Sequence, residues 1–141
     1  MKYVLDSSVA LKWVLSEADS GRAVRLWDEF SRDVHSLIVP DIFTPEVANG
    51  LVAAERQGRI KIGESALLLH DILFNAPAIH PTTPVMVRAM DIALATRHAV
   101  YDCLYVALAE SEVCELVMVD AKLVKSLRKQ FPFIVELKNL P

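Results

Sequence analysis

The feature that most constrains this chain is a repeated hand-over from a short apolar strand to a helix, with an acid at the junction. Tyr3-Val4-Leu5 is a strand-like run that stops at Asp6, and the β-like run 115–119 meets Asp120. A third run, Leu37-Ile38-Val39, is closed by Pro40. Between such runs the apolar residues recur at helical spacing, as in Ala23, Leu26, Trp27 and Phe30. Short apolar strands that alternate with helices build an α/β domain with a mostly parallel sheet. The expectation is a short, mostly parallel central sheet surrounded by helices. The 141 residues provide for one such domain, 1–141, and no more. At that length folding buries roughly 68–70% of the unfolded chain's surface, so no staple is needed.

The pattern predicts helices over 7–15 and 20–32. Thr44-Pro45 reads as a helix start, with Thr as N-cap and Pro at the first position, and that helix runs to 57 with Gly58 as its C-cap. Further helices are expected over 64–75, from Pro84 to 98, over 102–111 and over 121–130. A short extended piece surrounds Ile79, and 133–137 is a last strand. Two isolated cysteines, Cys103 and Cys114, read as reduced core thiols. No leader-like apolar stretch and no run of membrane-spanning length is evident, so a cytoplasmic protein with no membrane contact is expected.

Four acids share one kind of position. Asp6 and Asp120 end strands, Asp102 opens a helix after Ala99-Val100-Tyr101, and Glu46 lies in the first turn after Thr44-Pro45. In an open parallel sheet the strand carboxyl ends and helix amino ends share the edge where ligands bind. Each acid alone is explained as a helix cap or a dipole partner. Together they would repel one another unless a cation neutralises them. Oxygen donors with no His or Cys suit a hard ion such as Mg²⁺ or Mn²⁺. The four histidines are scattered, which disfavours zinc, and the four glycines form neither a dinucleotide fingerprint nor a P-loop.

Val4-Leu5-Asp6-Ser7-Ser8-Val9-Ala10, Glu46-Val47-Ala48-Asn49, the run from Tyr101-Asp102 to Ala109, and Val119-Asp120 resemble the four acidic blocks of PIN-domain ribonucleases. Their order and spacing are most similar to the toxin of a VapBC toxin–antitoxin pair. The resemblance implies a metal-dependent endoribonuclease in which Asp6, Glu46, Asp102 and Asp120 hold Mg²⁺ or Mn²⁺. Ser8 would orient a neighbouring carboxylate or water. It also implies a homodimer and a cognate antitoxin lying over the active site. One departure is Met118, where the family usually has Thr or Ser two residues before the last acid. Two other readings are a non-catalytic PIN-fold binding module and a Mg-dependent phosphoryl-transfer or receiver-type domain. The latter would want an acidic pair at the first strand, whereas Asp6 is followed by Ser7-Ser8.

Net charge sharpens the partner question. The whole chain carries −3, which excludes a passive coat for RNA. Residues 121–141, however, hold five basic side chains against Glu136, a net of +4, which leaves −7 for residues 1–120. Lys122, Lys125 and Arg128 form a stripe of the helix after Asp120 that would suit RNA flanking an acidic site, or else a solvated face. Lys12, in the first helix, is a further candidate for reaching that edge. Leu67, Leu68, Leu69, Ile72, Leu73 and Phe74 make the helix 64–75 apolar over more than one face, beyond what one core contact requires.

Overall fold

Successive residues of each strand bury on opposite sides, and this sets the architecture. The computed structural model describes residues 1–141. Strands β1 (Lys2–Leu5), β2 (Ser36–Pro40), β3 (Ala78–His80), β4 (Glu115–Met118) and β5 (Ile134–Glu136) form one sheet in the order β3-β2-β1-β4-β5. Every pairing is parallel, so the sheet is wholly rather than mostly parallel. Tyr3, Leu5, Leu37, Val39 and Val117 point to one face. Val4, Ile38, Leu116, Met118 and Ile134 point to the other.

Helices cover both faces. The first core holds residues of α1 (Ser7–Val14), α2 (Ser20–Ser31), α3 (Phe43–Arg56) and α4 (Glu64–Phe74). The second holds residues of α5 (Met86–Thr96), α6 (Val100–Glu112) and α7 (Ala121–Arg128). Seven consecutive residues of α6, Cys103 to Ala109, are buried. No helix is long and apolar enough to cross a membrane. Cys103 is buried, Cys114 is partly so, and both are free thiols.

The strand order decides between two of the sequence readings. It differs from the 2-1-3-4-5 order of receiver domains and sets β1 where the chain's winding reverses. The first three strands run outward from β1 on one side, and β4 and β5 extend the other. The crevice at the carboxyl ends of β1 and β4 is therefore the switch point at which such folds bind ligands. A receiver-type domain is set aside on this ground.

Local starts differ from the sequence expectation in instructive ways. The helix bearing Glu46 begins at Phe43 with Ile42 as cap, not at Thr44, and the Glu46 amide already bonds the Ile42 carbonyl at 3.1 Å. Pro45 is tolerated there because first-turn amides have no intrahelical acceptor to lose. Likewise α6 starts at Val100 with Ala99 as cap, so Asp102 is a first-turn residue and not the opener. The helix expected from Pro84 begins at Met86, after a 3₁₀ turn over Thr83–Val85, and ends at Thr96 where Arg97 turns left-handed at φ 62°. Gly58 follows α3 at φ 72°, and its amide and that of Arg59 return to the carbonyls of Glu55 and Ala54. Those paired bonds close the helix in a Schellman motif.

Candidate functional site

Each of the four acids is delivered to the switch-point edge by a different element. Asp6 leaves β1 and is itself the N-cap of α1, its side chain accepting from the Ser8 amide at 3.3 Å. The Ser8 hydroxyl donates to the same oxygen, Oδ2. The Asp6 amide donates to the Val117 carbonyl at 3.1 Å, locking the end of β1 against β4. Asp120 leaves β4 and caps α7, accepting from the amides of Lys122 and Leu123 at 3.0 and 3.1 Å. Asp102 sits in the first turn of α6 and Glu46 in the first turn of α3.

Glu46 approaches Asp6 because α3 packs closely on α1, and a glycine permits it. Gly50 lies one turn after Glu46, and a Cβ there would stand 2.5 Å from Leu11 Cδ1 of α1. A side chain at that position would have to push Leu11 aside. Sequence reasoning gave Gly50 no role. The signal was Gly placed four residues after Glu46, on the same helix face.

The electrostatics bind the acids into one unit. Burial is the main cause that raises Asp6 above the ordinary carboxylate range; Ser8 opposes it by hydrogen bonding, and Asp102 adds to it by repulsion. Glu46 is raised chiefly by burial and further by Asp6 and Asp102, against a hydrogen bond from Tyr105. Asp102 is raised by burial, lowered by nearby His98 and raised again by Asp120. The four carboxylates thus interact through space although they are far apart in sequence. None of them takes part in an ion pair with Lys, Arg or His.

A divalent ion fits this donor set by its chemistry. The donors are all hard oxygens and their repulsion lacks a counter-charge, which is what a carboxylate-held Mg²⁺ or Mn²⁺ requires. No three of the chain's His, Cys, Asp or Glu side chains yet converge closely enough to cage an ion. Met118 is buried in the second core, so it offers Asp120 no hydrogen bond, and the two α7 amides orient that carboxylate instead.

The basic candidates divide. Lys122, Lys125 and Arg128 are exposed on α7, and the stripe starts at the Asp120 cap. Lys125, Arg128 and Lys129 line a cleft of about 540 Å³ that ends on Glu136. Lys12 does not join them. Its side chain is buried, donating at 2.6 Å to the Ala18 carbonyl with Glu17 at 3.8 Å. It lies in the last turn of α1, away from the helix end that Asp6 caps, and its ammonium is taken up in closing the chain after that helix.

One further residue at the site had been given no role. Tyr105, one turn beyond Asp102 on α6, is fully buried and donates its hydroxyl to Glu46 Oε1 at 2.6 Å. Burial, with Glu46 and Asp6 close by, pushes the phenol far above its ordinary range and keeps it a donor. The available signal was its spacing, since i and i+3 share a helix face.

Comparison with known proteins bears on the family and the fold. The PIN domain family model matches residues 3–127. Over 137 residues the chain is 31% identical to Ribonuclease VapC3 of Pyrobaculum aerophilum, covering 96% of this chain and 98% of that protein. A crystal structure from Pyrobaculum aerophilum superposes with a TM-score of 0.68 at 19% identity, covering 98% of this chain and 85% of the other. VapBC2 from Rickettsia felis, solved on a DNA fragment from its promoter, gives 0.65 at 15% identity over 96% of this chain and 97% of that one. A toxin–antitoxin complex from Klebsiella pneumoniae gives 0.61 at 15% identity with the same coverage. At these identities the structural likenesses speak for the fold.

Proposed function

This chain belongs to the PIN-domain family, as a protein of the VapC kind, and we propose that it is a divalent-metal-dependent endoribonuclease acting as the toxin of a toxin–antitoxin pair. The observation that carries the reading is the set of four carboxylates from four elements at the switch-point edge, none of them ion-paired, three of which, Asp6, Glu46 and Asp102, are raised by burial and mutual repulsion. The 31% identical relative is a ribonuclease, which supports the same reaction class.

Asp6, Glu46, Asp102 and Asp120 are the residues that would hold Mg²⁺ or Mn²⁺. Such an ion, when bound, supplies charge neutralisation at phosphate and a more acidic attacking water. Around it the chain's own groups have defined tasks. Ser8 fixes Asp6 through Oδ2, the α7 amides fix Asp120, and the exposed lysines of α7 draw in the phosphate backbone.

RNA incubated with the protein and Mg²⁺ or Mn²⁺ is expected to be cut internally, with cutting abolished by EDTA and restored by either ion. Cleavage that persisted in EDTA would overturn the metal reading. Binding without cleavage in either ion would instead favour the non-catalytic module.

The basic stripe makes a separate expectation. Each single-stranded phosphate contact contributes about 0.7 to the slope of log affinity against log salt. The double variant K122Q/K125Q should therefore lower that slope by about 1.4, measured by fluorescence anisotropy on a catalytically dead background. An unchanged slope would assign the stripe to solubility.

Partners follow from what remains uncovered. Phe74, at 94% exposure, and Leu67 lie open on α4, and Val87, Met90 and Leu94 form an open apolar line on α5. Exposed apolar residues grouped along a helix in this way suit protein contacts, which supports a homodimer and a cognate antitoxin. The toxin–antitoxin complexes among the structural neighbours are consistent with such a partner. A cytoplasmic location accords with that role.

A further inference from the structure

The second core contains one side chain that packing alone does not account for. Tyr105 is fully buried within the uninterrupted apolar run of α6, from Cys103 to Ala109. A phenylalanine would fill the same space without burying a hydroxyl that must find a partner. The hydroxyl's partner is Glu46 Oε1, at 2.6 Å, across the gap between α6 and α3. Ser7, at the start of α1, stands beside the same phenol oxygen. The phenol thus sits where α1, α3 and α6 meet, the three helices whose first turns or caps carry Asp6, Glu46 and Asp102.

Glutamate is the acid of the set that most needs such a support. Its longer side chain has an extra rotatable bond, and neither Glu46 oxygen is held by a backbone amide, unlike those of Asp6 and Asp120. A donor on Oε1 restrains the carboxylate and leaves Oε2 without a hydrogen-bond partner in the protein. Resting on the metal-dependent reading above, we propose that Tyr105 is a positioning residue for metal capture, holding Glu46 in the orientation that completes the carboxylate set.

The test is Mn²⁺ binding by calorimetry to wild type, Y105F, E46Q and the double variant Y105F/E46Q, with urea unfolding in EDTA as the control for folding. Outer-shell hydrogen bonds to metal ligands are typically worth 10–100-fold in affinity, so Y105F should bind Mn²⁺ about 10-fold more weakly. It should keep a cooperative urea transition, because the ring still fills its site. The double variant should bind no more weakly than E46Q alone, since Tyr105 acts through Glu46. Y105F that binds Mn²⁺ within twofold of wild type while E46Q is weakened would overturn the positioning role and leave the metal reading standing. Equal additional loss on both backgrounds would also overturn it, by showing that Tyr105 does not act through Glu46. Wild type that binds no Mn²⁺ would remove the metal reading itself, and the proposal with it.

Discussion

Replacing Asp102 with Asn is expected to reduce RNA cleavage by at least about 100-fold, since disturbing groups that merely support metal ligands already costs 10–100-fold. The same change should leave the metal-free protein as stable as wild type or more so. Asp102 is half-buried, its carboxylate is raised by burial and by Asp120, and no hydrogen bond in the protein rewards its ionised form. An isosteric amide removes the repulsion and keeps the shape. Asp6→Asn should lose cleavage similarly, and Asn remains a good N-cap, so α1 should hold. Single-turnover cleavage in Mg²⁺ and urea unfolding in EDTA measure the two halves. A D102N protein that cuts within threefold of wild type would remove Asp102 from the chemistry. One that fails to fold would make it a structural acid.

Thermal stability should depend on pH and metal together. Asp6, Glu46 and Asp102 all have folded-state pKa values above their ordinary ones. The folded protein therefore holds protons that the unfolded chain releases. The stabilising difference is fully present below the ordinary carboxylate range and is lost as pH rises through the raised values. Without metal, these three acids should lower the melting temperature from that range toward neutrality, against Glu55, Glu110 and Glu112, whose lowered carboxylates act the other way. A cation reverses the trend because it binds the ionised cluster. At 100 times its Kd a ligand adds about 2.7 kcal/mol, which for a domain of this size is of order 5–10 °C. That gain should be largest at neutral pH and shrink on acidification, as protons compete for the same oxygens. Scanning fluorimetry with and without Mn²⁺ across pH would read it. A metal-induced shift independent of pH would place binding away from these acids.

The sequence was most informative where local and global demands coincide. The strands at Tyr3 and Glu115 were legible because each is an apolar run stopped by an acid, and the structure has that acid as a helix cap in both places. Element starts were less legible around Thr44-Pro45, because proline is compatible with several first-turn positions and cannot report which. The direction of Lys12, a candidate for the acidic edge, is not legible in the sequence because it depends on the chain reversal at Glu17 and Ala18, which places a carbonyl within reach of its ammonium. The parts that hold Glu46 in place are Tyr105, inside the run from Tyr101 to Ala109, and Gly50, directly after Asn49. Their roles arise from helix-to-helix distances, and those belong to the packing of α1, α3 and α6 rather than to any one segment.

The position of β1 in the middle of the sheet has a consequence for synthesis. The first strand to leave the ribosome pairs with β2 early, but its other edge waits for β4, whose register sets Leu5 against Val117. Asp120, and the hydrogen bond from the Asp6 amide that ties the end of β1 to the Val117 carbonyl, arrive only once β4 has been made. A nascent or prematurely terminated chain therefore carries Asp6, Glu46 and Asp102 without the element that closes the edge around them. The order of the strands thus postpones the closed edge until β4 and Asp120 have been made.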